Sequence, residues 1–281
     1  MHGLTHVGKV RKNNQDQFLL ATIHKRVQIL ATSLAPEKHA PLADERLAFL
    51  AMVADGVGGL EGGEEASATA LSAAMQYVAE STACYYHSHS TPKQLTAELQ
   101  AAAFKAHEEV RIRAEKSERG RMATTLTIFM GVWPTYYLLQ VGDSRYYLYQ
   151  QATPDRPAAL TQVSRDQTIA QDLVDRGAMS RDDAVGSRLS NVLSSSIGGD
   201  ETAPVVTRFE SVWGVAHLLC SDGLTKHVSD ERIAEVLGAM TSAKQACEAL
   251  LQEALDGGGS DNITIIIGAL VPRDLAPPAS P

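Results

Sequence analysis

The sequence predicts an α+β protein, with strands and helices segregated along the chain instead of alternating in β-α-β units. Three observations lead there. Short runs rich in β-branched and aromatic residues recur between Gln17 and Leu270, and such side chains suit a pleated surface. Two long segments with apolar residues three and four apart follow one another between Gly63 and Lys116, the period of one helix face. A third such segment comes only near the C-terminal end.

In chain order the strand-like runs are QFLLATI, RVQILAT, RLAFLAMVA, TLTIFMGVW, TYYLLQVG, RYYLYQ, PVVTRFE, VAHLLCS and NITIIIGAL. Leu126 to Tyr149 reads as a meander, two apolar runs joined by a short polar turn. Thr32 to Glu45, with two prolines, reads as a loop inserted between early strands. GEEASATALSAAMQYVAES puts Ala66, Ala70, Ala73, Ala74 and Tyr77 on one helix face. Glu64 and Glu65 stand near its positive N-terminal end. TPKQLTAELQAAAFKAHEEVRIRAEK puts Leu95, Leu99, Ala102, Ala103, Ala106 and Val110 on another. Being consecutive, the two predict an antiparallel pair lying on a sheet. SAKQACEALLQEAL opens with Ser242 and Gln245 at capping-box spacing and ends at Gly257 to Gly259. No internal repeat or domain boundary stands out. Residues 1–271 are expected to form one domain, and the proline-rich 272–281 a disordered tail or linker stub.

The formal net charge of −8 over 281 residues argues against nucleic acid or an anionic membrane as partner. It suits a protein that binds cations through carboxylates. At 44% hydrophobic the composition is ordinary for a globular chain with a sizeable core. Cys84, Cys220 and Cys247 are scattered and include no C-x-x-C pair, so neither a zinc knuckle nor a disulfide framework is indicated. Cys220, inside VAHLLCSDG, reads as a small buried hydrophobe. With no signal-peptide core and no apolar run of about 18 residues, a cytoplasmic protein without a membrane span is expected.

The stretch VADGVGGLEGGEEAS, Val53 to Ser67, raises the functional question. A phosphate cradle of backbone N–H groups is the usual use of such a loop. Neither nucleotide fingerprint is met, since no Lys-Ser/Thr follows and the G-x-G-x-x-G spacing is missing. Its acidity points to a cation instead. Asp16, Asp55, Asp143, Asp222 and Asp261 all sit at the ends of strand-like runs. Any one alone reads more readily as a turn aspartate. Gathered at the rims of one sheet system they would repel, and cations relieve that repulsion. Oxygen ligands without a His or Cys cluster suit Mg²⁺ or Mn²⁺. Two such ions about 3.5–4 Å apart are an arrangement for in-line displacement at phosphorus. Gly56 leaves its carbonyl unobstructed by a side chain. Arg11, five positions before Asp16, is either a bidentate fork for phosphate or a solvated surface arginine. Arg145 in GDSR reads as a brace for its turn. His87 and His89 read as surface-loop residues and Ser194 to Ser196 as structural, since no base partner is suggested.

Taken in order, GKVRKNNQDQF, VADGVGGLEGGEEAS, MATTLTIFM, VGDSRYYLY, LTQVSRDQTIAQDLVDRG, NVLSSSIGG, LLCSDGL and SDNITIII resemble the PPM (type 2C) metal-dependent protein serine/threonine phosphatases of the bacterial kind. The resemblance runs from about Gly8 to Leu270. It implies a four-layer αββα sandwich, two antiparallel β-sheets flanked by helices. It implies that Asp55 bridges two core ions, with the Gly56 carbonyl on the second. Asp222 and Asp261 would complete the first site, and Asp16 would hold water there. Asp143, together with Asp222, would bind a third, weaker ion, and Arg11 would clamp the substrate phosphate. Ser164 to Met179 would form a flap, with Ser164, Arg165, Asp166 and Thr168 in SRDQT where the family more commonly has Asp-His-Ser. Two positions depart from the pattern. Gln15 replaces the usual Glu near the second ion; its amide oxygen can still ligate, directly or through water, with one charge fewer. Val57 stands where animal relatives carry a His, so no side chain is an obvious general acid.

The function so implied is hydrolysis of phosphoserine and phosphothreonine on proteins by a hydroxide held between two Mg²⁺ or Mn²⁺ ions. Arg11, Asp16 and Asp55 would carry the catalysis. Phosphoprotein substrates, a cognate serine/threonine kinase and a monomeric state are further expectations. The alternative is a catalytically weak or inactive pseudophosphatase that binds phosphoproteins as a regulatory module, with Gln15 the feature in its favour. A variant keeps the phosphatase but gives it bacterial regulators of the anti-anti-sigma type as substrates.

Overall fold

The strand-forming runs pair into two five-stranded antiparallel sheets in the computed structural model. It describes residues 1–25, 45–57, 62–81, 91–117, 121–210 and 212–269. RVQILAT, most of the loop Thr32 to Glu45, Cys84, His87, His89 and the proline-rich tail with its boundary lie outside the described residues.

One sheet has the order β1 (His2–His6), β10 (Ile263–Ala269), β9 (Val215–Cys220), β6 (Arg145–Gln150), β7 (Ala159–Gln162). The other has the order β2 (Asp16–Lys25), β3 (Glu45–Asp55), β4 (Leu126–Val132), β5 (Thr135–Val141), β8 (Val205–Glu210). Their faces alternate as the period of two requires. Leu219 and Ile266 pack between the sheets with Ala51, Val53, Phe129 and Tyr146. Leu218, Cys220, Ile265 and Ile267 point the other way, under α6 (Asp230–Gly238) and α7 (Ala243–Asp256). Leu50, Met52 and Ala54 lie under α1 (Gly63–Glu80) and α2 (Pro92–Lys116). The result is the expected αββα sandwich. Burial on both faces explains why these strands read as unbroken apolar runs.

Ala66, Ala70 and Ala74 of α1 are fully buried, with Ala73 and Tyr77 packed at the edge of the same cluster. Small side chains there let α2 approach closely. Tyr77 Oη donates to Glu98 at 3.0 Å near one end, and Glu65 pairs with Arg113 near the other, so the two helices run antiparallel. Thr91 and Gln94 close a capping box ahead of α2, and Pro92 occupies its first turn. The α7 cap differs from expectation. Ser242 Oγ accepts the Gln245 N–H at 3.1 Å, but the Gln245 side chain reaches past Ser242 to the Thr241 N–H, also at 3.1 Å. No described helix is long and apolar enough to cross a membrane.

The elements that sequence patterning missed are short. They are β1, β7, α3 (Ile169–Asp175), α4 (Arg181–Val185), α5 (Asp222–Thr225) and α6. Of these, α6 does carry Ile233, Val236 and Leu237 on one face, but over only nine residues; the others are too short to show a period.

Candidate metal centre

Asp16 opens β2 and Asp55 closes β3, and the two are Cα partners across that antiparallel pair. The opposite sheet reaches them at this rim. Ser221, after β9, and Thr264, in β10, each donate a hydroxyl hydrogen bond of 2.7 Å to Asp16 Oδ2. Asp16 Oδ1 is buried with no hydrogen-bond partner. Burial pushes the Asp16 carboxyl up to about 6, against the pull of the Thr264 and Ser221 hydroxyls.

Asp55 is fixed through its backbone. Its N–H donates to Thr125 Oγ1 at 2.9 Å, and its carbonyl accepts Thr125 N–H at 2.9 Å and Thr124 Oγ1 at 2.8 Å. Thr125 Oγ1 also meets Ser144 Oγ at 2.9 Å, joining this anchor to the turn after β5. Burial drives the Asp55 carboxyl well above the usual carboxylate range, and the charges of Asp16, Asp222, Asp143 and Asp261 drive it further. All five predicted aspartates therefore converge in one electrostatic neighbourhood, with Asp55 feeling the other four.

The next residue has no room for a side chain. The Gly56 N–H donates to the Gln15 carbonyl at 3.1 Å. A Cβ on Gly56 would fall 2.4 Å from the Gly63 carbonyl oxygen and 2.9 Å from that of Gln15. Gln15 is held by its own backbone: its N–H donates to Asn262 Oδ1 at 2.8 Å and its carbonyl accepts the Ser67 hydroxyl at 2.6 Å. Its side chain lies over the start of α1, where a Cβ on Gly63 would meet Gln15 Nε2 at 2.7 Å. The structure thus places Gln15 beside Gly56. Residues 58–61 of the glycine-rich loop lie outside the described set.

Asp143 follows Gly142, whose φ of 104° is the left-handed conformation that glycine accepts without strain. The Gly142 N–H donates to Gln167 Oε1 at 2.8 Å. Burial raises the Asp143 carboxyl to about 8, helped by Asp222 and Asp166. Asp222 begins α5; its Oδ1 is buried without a partner, and its Oδ2 lies 2.5 Å from Lys226 Nζ. Burial raises this carboxyl as well, opposed by Lys226.

Asp261 is the most heavily paired of the five. Arg11 Nε reaches its Oδ1 at 2.7 Å and Arg11 Nη2 its Oδ2 at 2.9 Å, while Lys226 Nζ reaches Oδ2 at 2.8 Å. Burial pushes its carboxyl up, but these cationic partners outweigh burial and hold it below the usual range. Arg11 is therefore a fork at the edge of the cluster, not a free surface arginine, and its side chain stays 38% exposed. Lys226, Asn262, Ser221, Thr264 and Thr125 were not singled out from sequence. For Lys226 a signal existed, four residues after Asp222 and so on the same helix face.

The flap residues serve mainly to hold the flap. Arg145 clamps Asp166 with bonds of 2.7–3.1 Å, so it braces the start of the flap and not its own turn as expected. Arg165 pairs with Asp172 at 2.6 Å and Asp175 at 2.5 Å. Ser164 Oγ accepts the Tyr146 N–H at 2.9 Å, and Thr168 caps α3. Ser195 Oγ accepts the Ala203 N–H at 2.9 Å, a loop brace as expected for this serine run.

The donor set fits hard divalent ions. Asp16 Oδ1 and Asp222 Oδ1 are buried carboxylate oxygens without partners, near an Asp55 burdened by four neighbouring charges. A dication satisfies both conditions, and oxygen-only donors select Mg²⁺ or Mn²⁺ over softer metals. Among the described residues no group of three His, Cys, Asp or Glu side chains is drawn in tightly enough to enclose an ion. The outer oxygens are instead held by Arg11 and Lys226.

Two face-packed antiparallel sheets, helices on both outer sides and acids on the shared rim define a PPM-type fold. Comparison with known proteins agrees. The model of the protein phosphatase 2C family matches residues 39–257, and the chain belongs to that family. The matched span begins after Asp16 and ends before Asp261, so those positions rest on the geometry above. The chain is 33% identical over 228 residues to the serine/threonine protein phosphatase PstP of Mycobacterium tuberculosis. That similarity covers 81% of this chain and 41% of the relative, so the chain spans well under half of that protein. It is 29% identical over 230 residues to the serine/threonine phosphatase stp of Listeria monocytogenes, covering 80% of this chain and 85% of the other. The crystal structure of the catalytic domain of PstP in complex with two manganese ions superposes with a TM-score of 0.72 at 28% identity, covering 96% of this chain and 97% of that one.

Proposed function

We propose that the chain is a divalent-ion-dependent phosphatase acting on phosphoserine and phosphothreonine in proteins. The observation that carries this is Asp55, set among four other aspartates, two of which keep a buried oxygen unpaired. The names of its relatives and the two manganese ions of the PstP structure support the same reading.

Each residue then has a task. Asp55, Gly56 through its carbonyl, Asp222 and Asp261 would hold two core ions, with Asp143 beside Asp222 as the position for a third. Such ions, Mn²⁺ or Mg²⁺, supply Lewis-acid charge and an activated water for in-line attack at phosphorus. Asp16 is turned by two hydroxyls so that Oδ1 is left to accept a hydrogen bond from water. Gln15 offers a neutral amide beside Gly56 in place of a carboxylate. Arg11 presents a planar fork at the cluster edge, suited to bidentate grip on a phosphate as charge builds on its oxygens. The flap at Ser164 to Met179, tied down by Arg145 and Asp166, would help choose the substrate. Phosphoproteins made by a serine/threonine kinase are the natural substrates, for a cytoplasmic protein acting as a monomer.

The test is phosphate release from phosphoserine, phosphothreonine and phosphotyrosine peptides with Mn²⁺, with Mg²⁺ and with EDTA. Ion-dependent release from the first two is expected. Tight phosphopeptide binding with no turnover under any ion would instead establish the regulatory module that Gln15 suggests.

A further inference from the structure

Asp16 is held by more than the two hydroxyls on its Oδ2. Thr5 of β1 and Thr264 of β10 are Cα partners across that strand pair, and their hydroxyl oxygens lie 2.8 Å apart. Asn14 Nδ2 reaches Thr5 Oγ1 at 2.8 Å, and Asn14 Oδ1 accepts the Asp16 N–H at 3.1 Å. The proton positions follow from what each group can do. An ionised carboxylate only accepts, and an amide NH₂ only donates. Thr264 therefore gives its one hydroxyl proton to Asp16 Oδ2 at 2.7 Å and accepts from Thr5. Thr5, its proton committed to Thr264, accepts from Asn14. Four hydrogen bonds thus run in one direction, from the Asp16 N–H round to the Asp16 carboxylate. Thr264 sets the second hydroxyl as well. Its N–H donates to Ser221 Oγ at 2.9 Å, which directs the Ser221 proton to Asp16 Oδ2.

We propose that Thr5 and Asn14 are positioning residues for the hydrolysis, acting on Asp16 through Thr264. The ring fixes the Asp16 carboxyl plane so that Oδ1, buried and without a partner, is the oxygen left for water. Thr5 is exposed, where water could satisfy its hydroxyl, so burial does not demand the bond to Thr264. The ring also gives a task to β1, an edge strand that pairs only with β10. The inference rests on the phosphatase reading above and adds the residues that orient its water-holding acid.

The experiment pairs steady-state kinetics on one phosphothreonine peptide in Mn²⁺ with exchange of the Asp16 amide proton, followed by NMR in the ion-free protein. Thr5→Val keeps the side-chain shape and removes the hydroxyl; Asn14→Ala removes the amide that closes the ring. Each is expected to lower kcat by about 10-fold with KM unchanged, the scale of losing an outer partner of a site residue. Each should also speed Asp16 amide exchange by roughly 10-fold. The double variant is expected to lose no more than either alone, because both break one ring. Thr5→Ser restores the hydroxyl and is expected to match wild type on both readouts. Full kcat in Thr5→Val overturns the proposal, as do losses that multiply in the double variant. A loss that Thr5→Ser shares also overturns it, by assigning the effect to packing of β1. A wild type without ion-dependent turnover overturns the phosphatase reading instead, and Asp16 exchange in the same variants then decides the ring on its own.

Discussion

Asp16 and Asp55 stand directly opposite each other at the ends of neighbouring antiparallel strands. Like charges in that position destabilise a sheet, and burial already raises both carboxyls above their ordinary range. The fold accepts this cost at the rim where its two sheets share hydrogen bonds.

A pH dependence follows for the ion-free protein. Asp16 is raised to about 6 and Asp143 to about 8, against an unfolded value of about 3.9. Across this window the folded state binds more protons than the unfolded state, so stability falls as pH rises from about 4 to about 8. Asp261, held low by Arg11 and Lys226, acts below that window. In EDTA the melting temperature is expected to be higher at about pH 5 than at about pH 8. Excess Mn²⁺ should flatten the trend by satisfying the ionised carboxylates. A melting temperature in EDTA that climbs toward pH 8 contradicts the cluster as described.

Gly56→Ala tests the close approach of β3, Gln15 and α1. The added Cβ meets the Gly63 carbonyl at 2.4 Å, a backbone atom that no side-chain rotation moves aside. The substitution is expected to cost on the order of 1–3 kcal/mol in urea unfolding. It should also weaken Mn²⁺ binding, because the strand end carrying Asp55 must shift.

Arg11→Ala should leave the fold intact, since its side chain is substantially exposed. Loss of a preorganised charge at the phosphate is expected to lower kcat by roughly 10²–10³-fold. Arg11→Lys should recover only part of that, because an ammonium lacks the two-pronged geometry. A steady-state comparison of the three proteins on one phosphopeptide decides it; equal rates in all three remove Arg11 from the chemistry.

Much of this molecule was legible in its residues, for identifiable reasons. The α2 face from Leu95 to Val110 is fully buried as its period implies, because a long helix repeats its signal over many turns. β1, with the sequence HGLTH, pairs only with β10 and carries no alternation to betray it. The five aspartates could be found as strand-end acids. Their partners could not, because Asp16 meets Ser221 across 205 positions and Thr264 across 248. Such contacts depend on how one sheet docks on the other, and local patterning holds no record of that. Lys226 had the right spacing from Asp222, but whether it turned to the cluster or to solvent was settled only by packing.

The most direct measurement is Mn²⁺-dependent phosphate release from a phosphothreonine peptide by wild type, Asp55→Asn and Asp222→Asn, each with its Mn²⁺ stoichiometry and melting temperature. The account predicts that wild type turns over with Mn²⁺ and stops in EDTA. Both variants should fold, bind fewer ions and lose turnover by roughly 10²-fold or more. Folded variants that retain wild-type rates would contradict the claim that Asp55 and Asp222 hold the ions on which the reaction depends.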